Sequence, residues 1–455
     1  MRRVRWIAVA TLLASSSSAY AQEAPPAGSP PPSTPAPAPA PGVTGPGPET
    51  PVPPKVSFDE ALKRALAKNP QIKSAFGDVR RSEALVEQAR GAWLPVLNGN
   101  GTFTRLDNDR VLNDRVILAA DQLNANLTLG VPIIASRAWA AHARAKENVD
   151  VAKMTLEEAR RQVVLATGRA FLTVVAQHRV LETAQRARDV AKAHEEFAKS
   201  RLTGGVGNRL DAVRAAQERA TAETRVRVQT IALVRAQEAL GVMAAENGPM
   251  DAQEDASMAT APPTLATALV TADTRSDVLA QRERVTTAHK AVRDSYTDYL
   301  PVLSGTAQAF YQNPATFTVP QTGWQAQVLL TLPIFDGGVR YGLAHERESL
   351  ESQAKARLEG TLRQARSEVR TAFEAMRNAD EAMLQAKEAA ALAKEALELA
   401  QLAYRSGATS NIEVVDAERG AADAETDAAV AEDTARQARL DLVVAAGKLP
   451  GPPTP

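Results

Sequence analysis

Hydrophobic residues along this chain follow two periods, and the periods alternate in blocks. In 121–131 the odd positions Leu123, Ala125, Leu127, Leu129 and Val131 are apolar, while Gln122, Asn124, Asn126 and Thr128 are polar and uncharged. The stretch 97–104 sets Leu97 and Phe103 against Asn98, Asn100, Thr102 and Thr104. Later, Leu303, Ala307, Ala309 and Tyr311 oppose Ser304, Thr306 and Gln308, and Trp324, Ala326, Val328, Leu330 and Leu332 oppose Gln325, Gln327 and Thr331. Period two predicts four strands, each apolar on one face. About ten residues per strand suits a tilted membrane crossing. Elsewhere the step alternates between three and four. Val149, Ala152, Leu156, Ala159, Val163, Ala166 and Ala170 trace one coiled-coil seam, and Ala386, Ala390, Ala393, Leu397, Ala400 and Tyr404 another. No proline interrupts Ala143 to Leu202, which predicts a helix on the order of 90 Å long.

The blocks recur in the same order, which implies an internal duplication. A helical stretch at 57–92 reaches "LPVL" at 94–97, and another at 264–298 reaches "LPVL" at 300–303. Each is followed by alternating sequence that closes on a proline in an apolar cluster, "LGVPII" at 129–134 and "LTLPIF" at 330–335. A long helical tract, a glycine turn and a final helix complete each copy. The turns read "GGVGNRLDAV" at 204–213 and "RSGATSNIEVVDAE" at 405–418. Gly205 and Gly407 are suited to ending a helix, and Asn208 and Ser410 to capping the next one. Just past the second turn, Glu413 and Asp416 stand three apart and so share a helix face.

The ends read differently. Arg2, Arg3 and Arg5 precede the apolar run "WIAVATLLA", and "AYA" at 19–21 matches a signal-peptidase site, so export across a bacterial inner membrane is expected, with Gln22 first in the mature chain. The apolar run is too short to span a bilayer, and no later segment supplies a spanning helix. A membrane crossing would therefore use strands. The expected organisation is a signal peptide at 1–21 and a Pro/Ala-rich disordered leader at 22–55. A first repeat follows at 56–245 with its hairpin at about 96–133, and a linker at 246–263. A second repeat occupies 264–449 with its hairpin at about 302–335, and a tail 450–455.

Composition narrows the class further. Aromatic content is 4% and hydrophobic content 44%, much of it Ala, as in long packed helices rather than a large enzyme core. Lys plus Arg and Asp plus Glu are both 53, so no basic field points to nucleic acid. Cysteine is absent, which excludes disulfides and thiolate chemistry. The histidines 142, 178, 194, 289 and 345 form no i,i+3 or i,i+4 pair, and "GGVG" lacks the Lys of a phosphate loop. No catalytic constellation, cofactor or metal site is expected.

Four strands cannot close a barrel in lipid, because open edges leave backbone groups unpaired. Several chains would have to share one barrel, or else the hairpins pack on helices in water. The order of "LPVL" entries, "P-I" exits at 132–133 and 333–334, and glycine turns followed by "LDAV" and "IEVVDAE" resembles the TolC-type outer-membrane efflux protein family, from about Val56 to Leu449. That resemblance implies a mainly α chain whose long helices form a periplasmic tunnel. Three protomers would give four strands each to one twelve-stranded transmembrane β-barrel in the bacterial outer membrane. It implies a passive, non-enzymatic conduit for efflux or type I secretion, partnered by a periplasmic adaptor and, through it, an inner-membrane pump. Carried over, Glu413 and Asp416 correspond to acidic aperture rings, and Tyr404 and Asp211 to a pair tying neighbouring tip helices in the closed state. Gly205, Asn208, Gly407 and Ser410 correspond to the tips where the adaptor docks. The sequence departs from the pattern at Thr409, where an Arg would add a second tie, and at the outer ring, which is Glu rather than Asp. The alternative of another class is a periplasmic coiled-coil scaffold or adaptor without a pore.

Overall fold

The computed structural model describes residues 53–112, 115–254, 262–316 and 319–448. The expected signal peptide, most of the leader, part of the linker and the tail lie outside them. A short strand β1 (Lys55–Val56) leads into helix α1 (Phe58–Lys68), which begins where the Ser57 hydroxyl accepts from the Glu60 amide at 3.3 Å. The single helix expected over 57–92 is two. Asn69 ends α1 and caps α2 (Pro70–Gly91), its side chain accepting from Gln71 at 2.9 Å. Pro70 has no N–H to continue the first helix but fits the first turn of the second. The matching stretch of the second copy breaks likewise into α5 (Leu265–Ala272), α6 (Ser276–Arg293) and a 3-10 helix, Asp294–Tyr299.

Each copy then places its strands before its long helices. The first copy has β2 (Val96–Arg105) and β5 (Asp121–Ile134), with the small hairpin β3 (Arg110–Leu112) and β4 (Arg115–Leu118) inserted between them. Alternation did not announce this insert. The long helices are α3 (Ser136–Thr203) and α4 (Arg209–Met243), followed by the two-residue strand β6 (Asp251–Ala252). The second copy has β7 (Val302–Asn313), β8 (Thr322–Thr331), α7 (Val339–Arg405) and α8 (Asn411–Ala445). The duplication holds almost to the residue: 68 against 67 in the first long helix, and 35 against 35 in the second. At 1.5 Å per residue α3 is about 100 Å long.

The core lies midway along these rods. Phe58, Leu62, Phe171, Leu172, Leu240 and Val444 form one buried cluster, with Phe58 and Phe171 edge to face at 5.4 Å. Gly168 lets α3 and α8 approach, since a Cβ there would sit 2.9 Å from a Leu440 methyl. A second cluster joins Val369 and Met376 of α7 to Ala435, Ala438 and Leu442 of α8. Strand β1 pairs in parallel with β6, fastening the chain before α1 to the end of the first copy. On one side of this girdle α2 packs on α3 and α6 on α7; on the other, α4 packs on α3 and α8 on α7. The expected seam holds at Val149, Leu156 and Val163 and then drifts, leaving Ala166 exposed. From there α3 is enclosed on several sides, and Val164, Thr167, Gly168 and Phe171 are buried instead.

Candidate functional site

Two places carry the chemistry, at opposite ends of the long helices. The first is the sheet. Its order is β2-β5-β7-β8, antiparallel throughout, with β2 and β8 as edges. Residues opposite one another share a face, so the register sorts the alternation across all four strands. One face carries the rows Leu97, Leu129, Ala307, Ala326 and Gly99, Leu127, Ala309, Trp324. The other carries Asn98, Thr128, Gln308, Gln325 and Asn100, Asn126, Phe310, Gly323. Amides bond across it, Asn100 Nδ2 to Asn126 Oδ1 at 3.1 Å and Gln325 Nε2 to Gln308 Oε1 at 2.6 Å. The Phe310 ring lies over Gly323, where a Cβ would meet it at 2.7 Å. The apolar face is bare: Trp324 is 79% exposed, Val328 69% and Leu97 62%. Ten residues span about 33 Å along a strand, enough for a tilted crossing of an apolar band about 25 Å tall.

The second place is the pair of glycine turns. After α3, Gly205 adopts φ 78° and donates to the Leu202 carbonyl at 3.1 Å, while Val206 reaches back to Arg201 at 3.1 Å. After α7, Gly407 adopts φ 78° and donates to Tyr404, and Ala408 reaches back to Ala403 at 2.8 Å. Both are Schellman closures, whose left-handed residue favours glycine. Asn208 caps α4, accepting from the Leu210 amide at 3.0 Å. Ser410 stands at the corresponding position of α8 but makes no side-chain cap. The neighbouring Thr409 hydroxyl instead donates to the Glu413 carboxylate, so this threonine engages the acid of its own tip.

Glu413 and Asp416 are exposed on one face of α8. Among the described residues neither carboxylate has a salt bridge. Tyr404 is buried and sits edge-on to His194 and Phe197, each centroid 5.9 Å away. The Arg201 guanidinium lies over the Tyr404 ring at 4.8 Å and reaches its carbonyl at 3.4 Å. Burial pushes the Tyr404 phenol up, Arg201 opposing and the Asp211 charge adding to the rise. Among the described residues no hydrogen bond joins Asp211 to Tyr404. The link between the tips runs through Asn411, whose Nδ2 donates to the Asp211 carbonyl at 3.4 Å.

Sequence reasoning missed a ladder between the copies. Along α3, Arg179, Arg186 and His194 meet Glu432, Glu425 and Glu418 of α8 at 2.7, 3.7 and 2.8 Å. The acids are seven apart, which is the signal that could have revealed them. Burial alone would raise Glu432, but Arg179 and Lys387 hold its carboxyl at about 2. Its neighbour Asp433 is the opposite case: burial pushes it up to about 6 against the pull of Arg179 and Arg436, and neither oxygen has a hydrogen-bond partner.

A family model described as outer membrane efflux protein matches residues 61–245 and 271–448. The fusaric acid resistance protein FusA of Burkholderia cepacia is 26% identical over 62% of this chain, and the chain spans 56% of that relative's length. The Campylobacter jejuni CmeC outer membrane channel is similar in fold, with a TM-score of 0.72 and 18% identity over 86% of this chain and 85% of its own. The open state of the Neisseria gonorrhoeae MtrE outer membrane channel gives 0.73 and 19% identity over 87% and 89%. VceC of Vibrio cholerae gives 0.71 and 18% over 86% and 96%.

Proposed function

Since the chain belongs to the outer membrane efflux protein family, we propose that it is the outer-membrane channel of a tripartite export system, a passive conduit joined by a periplasmic adaptor to an inner-membrane pump. The observation that carries this reading is the sheet, apolar on one face, lined with amides and hydroxyls on the other, and open at both edges. In lipid such edges must pair, and only another copy offers a matching strand. Two copies would give eight strands, whose lumen side chains fill; three give twelve and leave a wet lumen. The apolar rows then face lipid and the amides face water. A scaffold in water would have no use for the bare apolar face. The relative named for fusaric acid resistance favours small-molecule efflux over protein secretion.

The glycine turns form the inner end, and Gly205, Asn208, Gly407 and Ser410 are the tips an adaptor meets. With threefold symmetry, Glu413 and Asp416 make two stacked carboxylate rings that favour cations. The test is single-channel conductance in planar bilayers, wild type beside Glu413→Ala/Asp416→Ala. Small cation-selective steps that grow or lose selectivity in the double variant are expected. Conductance indifferent to both changes would move the constriction elsewhere, and folded protein that never inserts would sink the channel.

A further inference from the structure

Behind the tips lies a buried polar cluster. His194 is 8% exposed near the end of α3, and Asn411 and Glu418 of α8 are 2% and 7% exposed. The ring's Nε2 is hydrogen-bonded to Asn411 Oδ1 at 2.7 Å, whereas its Nδ1 stands 2.8 Å from Glu418 Oε1 as a charge contact without hydrogen-bond alignment, leaving Nδ1 and both Glu418 oxygens without a hydrogen-bond partner among the described residues. Asn411 cannot reverse its amide without losing its donation to the Asp211 carbonyl at 3.4 Å. Both ring nitrogens therefore face oxygen acceptors. A neutral imidazole has one N–H and one lone pair, so it would aim that lone pair at an oxygen. The close approach of Nδ1 to the Glu418 carboxylate is attractive when the ring holds its second proton and repulsive when it does not.

We propose that His194 is a proton-operated clamp: with that extra proton it ties the first turns of α8 to α3 and, through Asn411, to the start of α4, and on losing it the two tips come free. The clamp itself stands apart from the channel reading; its consequence for a gate rests on that reading. The groups facing His194 are Glu418 from α8, Asp211 from α4 and the Tyr404 phenol from α7. On α3, Glu195 is paired with Lys199 and Arg219, and Arg201 covers Tyr404. Arg419, next to Glu418, is taken up by Glu218 at 2.6 Å. Burial opposes the charged ring, but Glu418, Asn411 and Asp211 outweigh it and its titration moves up. A raised folded value means the clamp contributes fully below the ordinary histidine range of about 6.5 and fades as pH rises through the folded value. The other rungs use Arg179 and Arg186, which keep their charge, so loss of the His194 proton acts at the tip end, apart from the titration of Asp433 farther along α8.

The experiment is hydrogen–deuterium exchange of the full chain in detergent at about pH 6 and about pH 9, corrected for the chemical rate. Peptides covering 404–416 and 205–212 should exchange on the order of tenfold faster at the higher pH. The body of α4 around 225–235, remote from His194 and from Asp433, should not change. In His194→Gln, which accepts no second proton, the difference between the two pH values should vanish. A flat wild-type profile overturns the clamp without reference to any variant, as does a pH response that survives His194→Gln. Bilayer conductance of the same preparation separates the readings: steps with a flat exchange profile keep the channel and sink the clamp, whereas a pH-responsive tip without conductance does the reverse.

Discussion

Gly407 shows what one residue settles. Its φ of 78° places it in the left-handed region, where a side chain costs about 1–2 kcal/mol. Gly407→Ala should therefore loosen the α7–α8 turn by about that amount, read as roughly tenfold faster limited tryptic cleavage after Arg405. Unchanged cleavage would mean the turn is held by its neighbours rather than by its own backbone. The two glycines were legible in the sequence because few residues tolerate that conformation. Ser410 was a fair candidate cap by type and position, yet the local bond at that tip runs from Thr409 to Glu413. His194 was not legible. Its partners are 217 residues along the chain for Asn411 and farther still for Glu418, and no local spacing could join them.

At the scale of elements, the heptad patterns located α3 and α7, the glycine turns located the starts of α4 and α8, and the period-two pattern located the four strands of the sheet, because each strand presents one face. The inserted β3–β4 hairpin is too short to establish a period, and the drift of the α3 seam after Val163 comes from neighbours crowding on several sides. The α3–α8 contact is also where a polar group is placed at a cost. Asp433 titrates at about 6 instead of near 3.8; its carboxylate accepts no hydrogen bond and meets only a distant charge, Arg436 at 3.9 Å. A raised carboxyl is neutral and tolerated at low pH, and the penalty grows as pH climbs through about 6. Asp433→Asn should thus raise stability by about 1–2 kcal/mol at about pH 8 and by almost nothing at about pH 4. Thermal unfolding at the two pH values checks it, and a gain equal at both would assign the effect to shape rather than charge.

At the scale of the whole molecule, α7 leaves apolar surface uncovered. Leu384, Leu392, Leu399 and Leu402 run along α7 at 60–66% exposure, well away from the sheet and on the tip side of the girdle. Bare stripes of this kind call for another helix. Light scattering of detergent-extracted protein should give three chains, and Leu392→Glu/Leu399→Glu should yield monomers with intact helicity. A double variant that stays trimeric would remove this face from the interface.

The sequence by itself determined the elements, their duplication and the two-faced character of the sheet, because these follow from local period, proline and glycine. Tertiary structure alone decided which strand pairs with which, that β5 and β7 join the copies, and that polar groups from α3 and α8 meet in a ladder whose tip-end rung is buried. The physical reason is range: periodicity reports the environment of each face, and the seven-residue spacing of Glu418, Glu425 and Glu432 marks a stripe of acids on α8 without naming its partners on α3.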